Sequence, residues 1–521
     1  MKRIFRVKGK PYFTIGAQVR NSSSLSREIM EKNWQAAEKI GFDTLAASVH
    51  WSALEPEEGQ FDYSQVQMLL DGAKAHGKHL ILLWFGVWKN GASQYAPTWV
   101  KVQTDRFVRS ETVVHQKLMV LSPHCEENFQ AERQAYEAFI RYLKENDQEG
   151  TVIGIQAENE AGQMGAPRDY SQAGEAVYRS DVPKEVADWA GKGSGSWEEL
   201  FGDDGAEFCT AYAFAGYINR LVQAGKEIFD LPVYTNVWLG EMYNRVPGID
   251  YPSGGGATKV LDLWKAFTPA LDGICPDIYF TDADTYNQIC SGYAREDNLL
   301  YIPETGSSSL SAVNTVHGIV THRLTGVHCF GVEHMVDEQG NIRDGSREYS
   351  HLVQILQNTK PLLEKYQGTK RLYEVVQYEG CGSKYYDFGD FIGRVVFTDG
   401  LGDEYFSGAR EYMDAAHTGD DCYKVRGKGF IIYEGNGCFY LAGEGFRLNL
   451  LRKQKIELMT NGISLSNFQN LRHQEYLELS EGTVDETGVY HVKTVRTGDE
   501  GDYGIWVHYD VGVVRAILRM E

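Results

Sequence analysis

The chain has 521 residues, with 51 basic against 72 acidic side chains and a formal net charge of −21. That length exceeds one ordinary domain and leaves room for a large domain plus a second. So acidic a chain argues against nucleic acid or an anionic membrane as partner, because both select basic surface; it fits a neutral or cationic ligand, and simple solubility explains the charge as well.

A hydrophobic content of 42% with 12% aromatic residues is that of a globular protein. The eight cysteines show no CxxC pair and no regular framework, and several sit inside apolar runs. They read as reduced, structural thiols, which predicts a cytoplasmic setting. The opening MKRIFRVKGKPYFTIGAQ has no apolar block of signal-peptide length, and no stretch reaches the length of a membrane span.

In chain order, apolar strand-like runs fall at 12–18, 43–51, 79–85, 151–158, 232–239, 271–280, 298–304 and 326–332. Helical patterns lie between them, and those at 27–41 and 66–77 each end on glycine, as helix C-termini often do. Eight strand-and-helix units predict an α/β fold, a (β/α)8 TIM barrel. Near-continuous apolar character suits buried parallel strands. An open doubly wound sheet competes, but no glycine-rich turn follows the first strand. From about 370 the rhythm changes to strands punctuated by glycine turns, as in KGFIIYEGNGCFYLAGEG. This predicts an antiparallel β-sandwich domain. The expected division is a barrel over 1–368 and a sandwich over 369–521.

The catalytic face of such a barrel lies at the C-terminal ends of its strands. There the sequence places Trp51, Trp84, Trp88 and Trp238, with Tyr279 and Phe280, the amides Asn90, Asn159 and Asn236, and the carboxylates Glu158, Glu160 and Glu304. Indole faces, amides and a few acids suit a sugar ring. A phosphate site would want basic residues and a glycine-rich turn. A metal site would want clustered histidines, and His50, His328 and His334 are not at ligand spacing, so no metal and no cofactor are expected. Cleavage of a glycosidic bond needs two carboxyls in different protonation states. Glu160 and Glu304 lie far apart in sequence, and only a closed ring brings the ends of strands four and seven together.

The segments WSALEPEEGQFDY (51–63), LLWFGVWKNG (82–91), IQAENEAG (155–162), YPSGGG (251–256), PDIYF (276–280) and IPETG (302–306) carry a resemblance to retaining β-glycosidases of glycoside hydrolase clan A. Within the clan the chain most resembles the β-galactosidase families 35 and 42. The resemblance implies Glu160 as acid/base and Glu304 as nucleophile. It implies that Asn159 bonds the sugar 2-hydroxyl, that Tyr279 holds Glu304, and that Trp84 and Trp88 wall the subsite. The β-rich second half is similar in placement to the accessory domain of little-characterised barrel proteins of this kind. One departure concerns strand eight, which ends CFGVEHM (329–335) where related barrels have a pattern like FGID. Glu333 and His334 therefore enter as substrate contacts, and sugar identity stays open.

Other residues carry open alternatives. Strand alternation puts Glu158 on the face of Glu160, so substrate contact and a structural role weigh equally. Trp51 favours core packing, and the acids of LEPEEG favour a solvated turn. The long segment 161–231 either shapes subsites or serves as scaffold. Three readings follow: a β-galactosidase acting on oligosaccharide or glycoside, a β-glycosidase of other sugar specificity, and a non-catalytic glycan-binding barrel. A homo-oligomer is compatible with each.

Overall fold

The computed structural model describes residues 2–241, 245–379, 381–397, 425–454, 475–502 and 504–520. Cys422, one of the eight cysteines, lies outside these residues. Seven parallel strands form the first sheet: β1 (Thr14–Gln18), β2 (Thr44–His50), β3 (His79–Lys89), β4 (Val152–Asn159), β5 (Val233–Val237), β6 (Gly273–Pro276) and β7 (Gly326–Phe330). Their order, β6-β5-β4-β3-β2-β1-β7, is that of a barrel opened at one seam. The predicted strand 298–304 fills the seam without forming a ladder. It makes single parallel bridges, Ile278 with Thr305 and Ile302 with Val327. Pro303 in that segment has no N–H to donate, so continuous pairing stops there. The ring still closes through Ile278 N–H to Glu304 O at 2.9 Å and His328 N–H to Ile302 O at 2.9 Å.

Helices wrap the sheet. Helix α1 (Arg27–Ile40) starts where the Ser26 side chain accepts from Ile29 N–H and stops at Gly41, whose φ of 98° is left-handed. Helices α2 (Glu126–Asn146), α3 (Gly205–Ile228), α4 (Ser309–Thr321) and α5 (Asp344–Tyr366) continue the layer. Side-chain alternation sorts two cores. Leu45, Ala47, Val49, Leu80, Leu82 and Trp84 pack against the helices. Ala46, Ile81, Leu83, Phe85, Ile153, Tyr234 and Tyr301 fill the barrel interior with Phe5. Segment 161–231 folds into short helices ahead of α3, with their own cluster around Val186, Trp197 and Leu200.

Helix α5 ends at Tyr366 and the next strand begins at Leu372. Ten antiparallel strands follow among the described residues: β8 (Leu372–Val376), β9 (Ser383–Asp387), β10 (Phe391–Phe397), β11 (Lys428–Gly435), β12 (Cys438–Glu444), β13 (Phe446–Arg452), β14 (Tyr476–Val484), β15 (Tyr490–Val495), β16 (Ile505–Val507) and β17 (Val513–Leu518). They form a six-stranded sheet ordered β8-β11-β12-β17-β14-β15 and a four-stranded sheet ordered β9-β10-β13-β16. The larger sheet is apolar on both faces for a reason visible along β11. Ile431 and Tyr433 meet Phe391, Val395 and Leu448 between the sheets. Phe430 and Ile432 face the other way, into the barrel's core with Leu352 and Ile355 of α5. A buried pair, Lys428 Nζ to Glu444 Oε1 at 2.5 Å, sits at the same seam, where His351 of α5 also reaches Glu444 at 2.8 Å.

Candidate active site

Strand β4 ends in two backbone breaks. Glu158 and Glu160 both have positive φ, 58° and 45°. Ordinary side chains avoid that region, so strand alternation no longer applies beyond Ala157. The two carboxylates, expected on one face, point to different places.

Glu158 turns toward the helices and is fully buried. Its carboxylate accepts from Val87 N–H at 3.1 Å and Trp88 N–H at 2.6 Å. Beside it lies Glu132 of α2, which accepts from Trp84 Nε1 at 2.8 Å and from the Tyr217 hydroxyl at 2.8 Å. Burial first, and then Glu132, hold the Glu158 carboxyl protonated well above the ordinary range. Gly86 makes room for the pair, since a Cβ there would stand 1.9 Å from Glu132 Oε1. Glu158 therefore pins the end of β3 and is not a substrate contact.

The same packing corrects the expectation for two tryptophans. Trp84 shares the helix-facing phase of Leu80 and Leu82 and stacks on Phe139 with centroids 5.5 Å apart. Trp88 lies between Phe214 and Tyr217 and donates its indole N–H to Leu121 O at 3.1 Å. Neither is exposed, so neither walls a sugar site. Trp51 is likewise buried, bonded through Nε1 to Glu55 at 2.8 Å. Trp238, just past β5, is partly exposed, and Tyr279 is 50% exposed.

Glu160 turns the opposite way, into the mouth. Its N–H donates to Asn236 Oδ1 at 2.9 Å, and Asn236 Nδ2 donates to Asp277 Oδ2 at 2.6 Å. Glu304 lies across the ring, with Oε2 accepting from the Tyr279 hydroxyl at 2.7 Å. Its other oxygen, Oε1, is buried without a partner, as is Asp277 Oδ1. Three carboxyls thus share one electrostatic site. Desolvation, then the nearby Glu304, push the Glu160 carboxyl up to about 7. Burial, then Glu304 and Glu160, keep Asp277 protonated well above the carboxylate range. Lys89 Nζ donates to Asn159 Oδ1 at 2.7 Å and offsets part of this charge. Asn159 Nδ2 is buried with no acceptor, a donor left free at the site.

Asp277, Lys89 and Glu132 are the residues that sequence reasoning missed. Asp277 stands in the quoted PDIYF and Lys89 in LLWFGVWKNG, so position at a strand end was a usable signal for both. Glu132 gave none, because it sits mid-helix among many surface acids.

Glu333, expected as a substrate contact, is engaged by the protein itself. Its carboxylate accepts from Arg20 N–H at 3.1 Å, the Ser23 hydroxyl at 2.5 Å and Asn33 Nδ2 at 2.8 Å, which ties the β1 loop and α1 to the end of β7. His334 is exposed, edge-on to Phe330 with ring centroids 6.4 Å apart. His50 bonds Ser48 at 2.9 Å, and His328 bonds Thr14 at 2.7 Å inside the barrel. Among the described residues no group of three or more His, Cys, Asp or Glu side chains is placed to hold a metal ion. No helix of the described residues is long and apolar enough to cross a membrane.

Comparisons with known proteins bear on the fold and family. A β-galactosidase of Xanthomonas manihotis is 27% identical over 180 residues, 33% of this chain and 27% of that protein. The chain therefore spans about a quarter of the length of this relative. The catalytic domain of β-amylase from Paenibacillus polymyxa superposes with a TM-score of 0.50 at 12% identity, covering 66% of this chain and 98% of its own. That likeness shows the TIM-barrel fold. A β-galactosidase from the psychrophilic Marinomonas ef1 gives a TM-score of 0.49 at 13% identity over 68% of this chain and 60% of its own. Residues 349–508 match a family described as a domain of unknown function (DUF5597), which begins inside α5. The family 35 likeness rests on the sequence motifs alone. Residues 21–186, from the end of β1 past the end of β4, match the β-galactosidase domain of glycoside hydrolase family 42.

Proposed function

We propose that the chain is a retaining β-glycosidase that removes terminal β-linked galactose. The observation that carries this reading is the approach of Glu160 and Glu304, from opposite sides of the ring, close enough that burial and the Glu304 charge push the Glu160 carboxyl up to about 7. An acid must hold its proton near neutral pH and give it up in the transition state, so a value close to 7 suits the task.

In the first step an oxygen of Glu304 attacks the anomeric carbon while Glu160 gives its proton to the departing glycosidic oxygen. A covalent glycosyl ester forms and the aglycone leaves as an alcohol. Esterification removes the Glu304 charge that helped raise Glu160, so the Glu160 pKa falls and the group becomes a base. It then takes a proton from water, whose oxygen displaces the ester and restores Glu304. Tyr279 supports this cycle by donating to Oε2 of Glu304, which leaves Oε1 free for attack. Asn159 Nδ2 is the donor available to a sugar hydroxyl, and Trp238 is the indole left to face the ring.

A binding protein without turnover would have no use for a proton-loaded acid beside a second carboxylate. In the same proposal residues 1–368 form the catalytic unit and 369–521 an accessory one. A cytoplasmic setting fits the seven described cysteines, all free. The test is hydrolysis of aryl β-D-galactoside against the gluco, fuco and N-acetyl counterparts, with Glu160→Gln and Glu304→Gln as controls. Galactoside turnover abolished in both variants supports the reading. Turnover that survives both ends it.

A further inference from the structure

Beyond the carboxyl site the catalytic face carries two adjoining cavities, of about 590 Å³ and about 560 Å³. Arg20, His50, Tyr95 and Phe330 line the first, so it opens at the ends of β1, β2 and β7. Lys101, Arg109, Lys117 and Met119 line the second. Gln94 lines both, so the two are neighbours across one side chain. The second is framed by a hairpin, Arg109–Glu111 with Lys117–Leu121, inserted after β3 on the catalytic face.

Three cations meet there in a chain of net charge −21. None of them forms an ion pair among the described residues. The acid nearest in the hairpin register, Glu111 opposite Lys117, directs its carboxylate to His115 at 3.1 Å. Lys101 Nζ donates to Gln94 O at 2.5 Å, which leaves two of its protons unused. Burial, then the neighbouring Arg109, push the Lys101 pKa down. Like charges held together in a partly buried groove are relieved by an anion. Guanidinium and ammonium groups bind carboxylate and sulfate with charge-assisted hydrogen bonds.

We infer that the groove of Lys101, Arg109 and Lys117 binds an acidic substituent, a uronate carboxylate or a sulfate ester, on an oligosaccharide whose terminal sugar is held at the carboxyl site. The inference rests on the glycosidase reading and names its substrate class as acidic oligosaccharides. A nucleic acid would need a longer basic track than this one pocket, against strong overall repulsion.

Calorimetry on the full-length Glu304→Gln protein tests it with galactose-terminated oligosaccharides, in sets of three that differ only in one residue beyond the galactose: neutral, uronate-bearing or sulfated. At least one acidic ligand is expected to bind about tenfold or more tightly than the neutral one, the range of one charge-assisted contact. That advantage is expected to shrink in high salt. In an additional Arg109→Gln/Lys117→Gln pair of changes it is expected to fall to within about twofold, and which acidic ligand is preferred tells carboxylate from sulfate. Equal binding of all three in every set, or an advantage that survives the pair of changes, overturns the inference. The glycosidase reading fails separately, if the unaltered protein hydrolyses no glycoside while the acidic preference persists.

Discussion

Two clusters of buried carboxyl groups lie within a few residues of each other on β4, and they differ in what surrounds them. Around Glu158 and Glu132 the indole of Trp84, the N–H groups of Val87 and Trp88 and the Tyr217 hydroxyl occupy the acceptors. Around Glu160, Asp277 and Glu304 two carboxylate oxygens and one amide nitrogen are buried without partners. Satisfied acids hold a backbone in place, whereas unsatisfied ones at a mouth await a ligand. Burial and raised pKa are common to both clusters, so neither property alone marks a catalytic site.

Breaking the open cluster should have the larger effects. Glu304→Gln removes the oxygen proposed to attack and is expected to lower kcat on aryl β-galactoside by more than about 10⁴-fold, beyond what losing acid–base help costs. Glu160→Gln should cost about 10²–10⁴-fold. It should cost less with an acidic aryl leaving group, which needs little protonation. The wild-type rate should fall as pH rises through about 7, where Glu160 loses its proton, and Glu160→Gln should flatten that limb. Kinetic pH profiles of the two proteins check this. Tyr279→Phe deletes the bond to Glu304 and should lower kcat by about 10–10²-fold, as for one hydrogen bond to a charged group. Circular dichroism should remain unchanged, since Tyr279 is half exposed.

The closed cluster should respond through stability and pH. The Glu158 pKa is raised in the folded state, so the folded protein holds a proton that the unfolded chain releases near the ordinary value of 4.5. Stability from this pair is therefore fully present below that pH and declines as pH rises through the window up to the folded pKa. Glu158→Gln, a neutral stand-in for the protonated acid, should change stability by only about 1 kcal/mol. The Tm difference should move in favour of the variant with rising pH, which thermal melts at several pH values will read. A constant difference would mean that the pair carries no shared proton.

The comparison also explains what the sequence made legible. All seven strands of the parallel sheet could be read from apolar runs, because buried parallel strands are largely apolar. The seam segment 298–304 was legible as well, although Pro303 limits it to single bridges. The meeting of Glu160 with Glu304 followed from the closed ring. The fate of Glu158 did not, because period-two alternation assumes extended backbone and the positive φ values at 158 and 160 cancel it. Trp84 was decidable, since counting from Leu80 and Leu82 puts it toward the helices. Trp88 was not, because the pairing of β3 with β4 shifts register between Trp84 and Lys89. Glu333 escaped because its partners Arg20, Ser23 and Asn33 lie some 300 residues away in sequence.

The central claim is that Glu304 becomes covalently bonded to the sugar during turnover. A mechanism-based 2-deoxy-2-fluoro-galactoside forms the ester quickly and loses it slowly, so peptide mass spectrometry can locate the adduct. One sugar per chain is expected, on the peptide containing Glu304, with none formed in Glu304→Gln. An adduct on Glu160 or Asp277, or hydrolysis of the parent galactoside that inverts the anomeric centre, would contradict it.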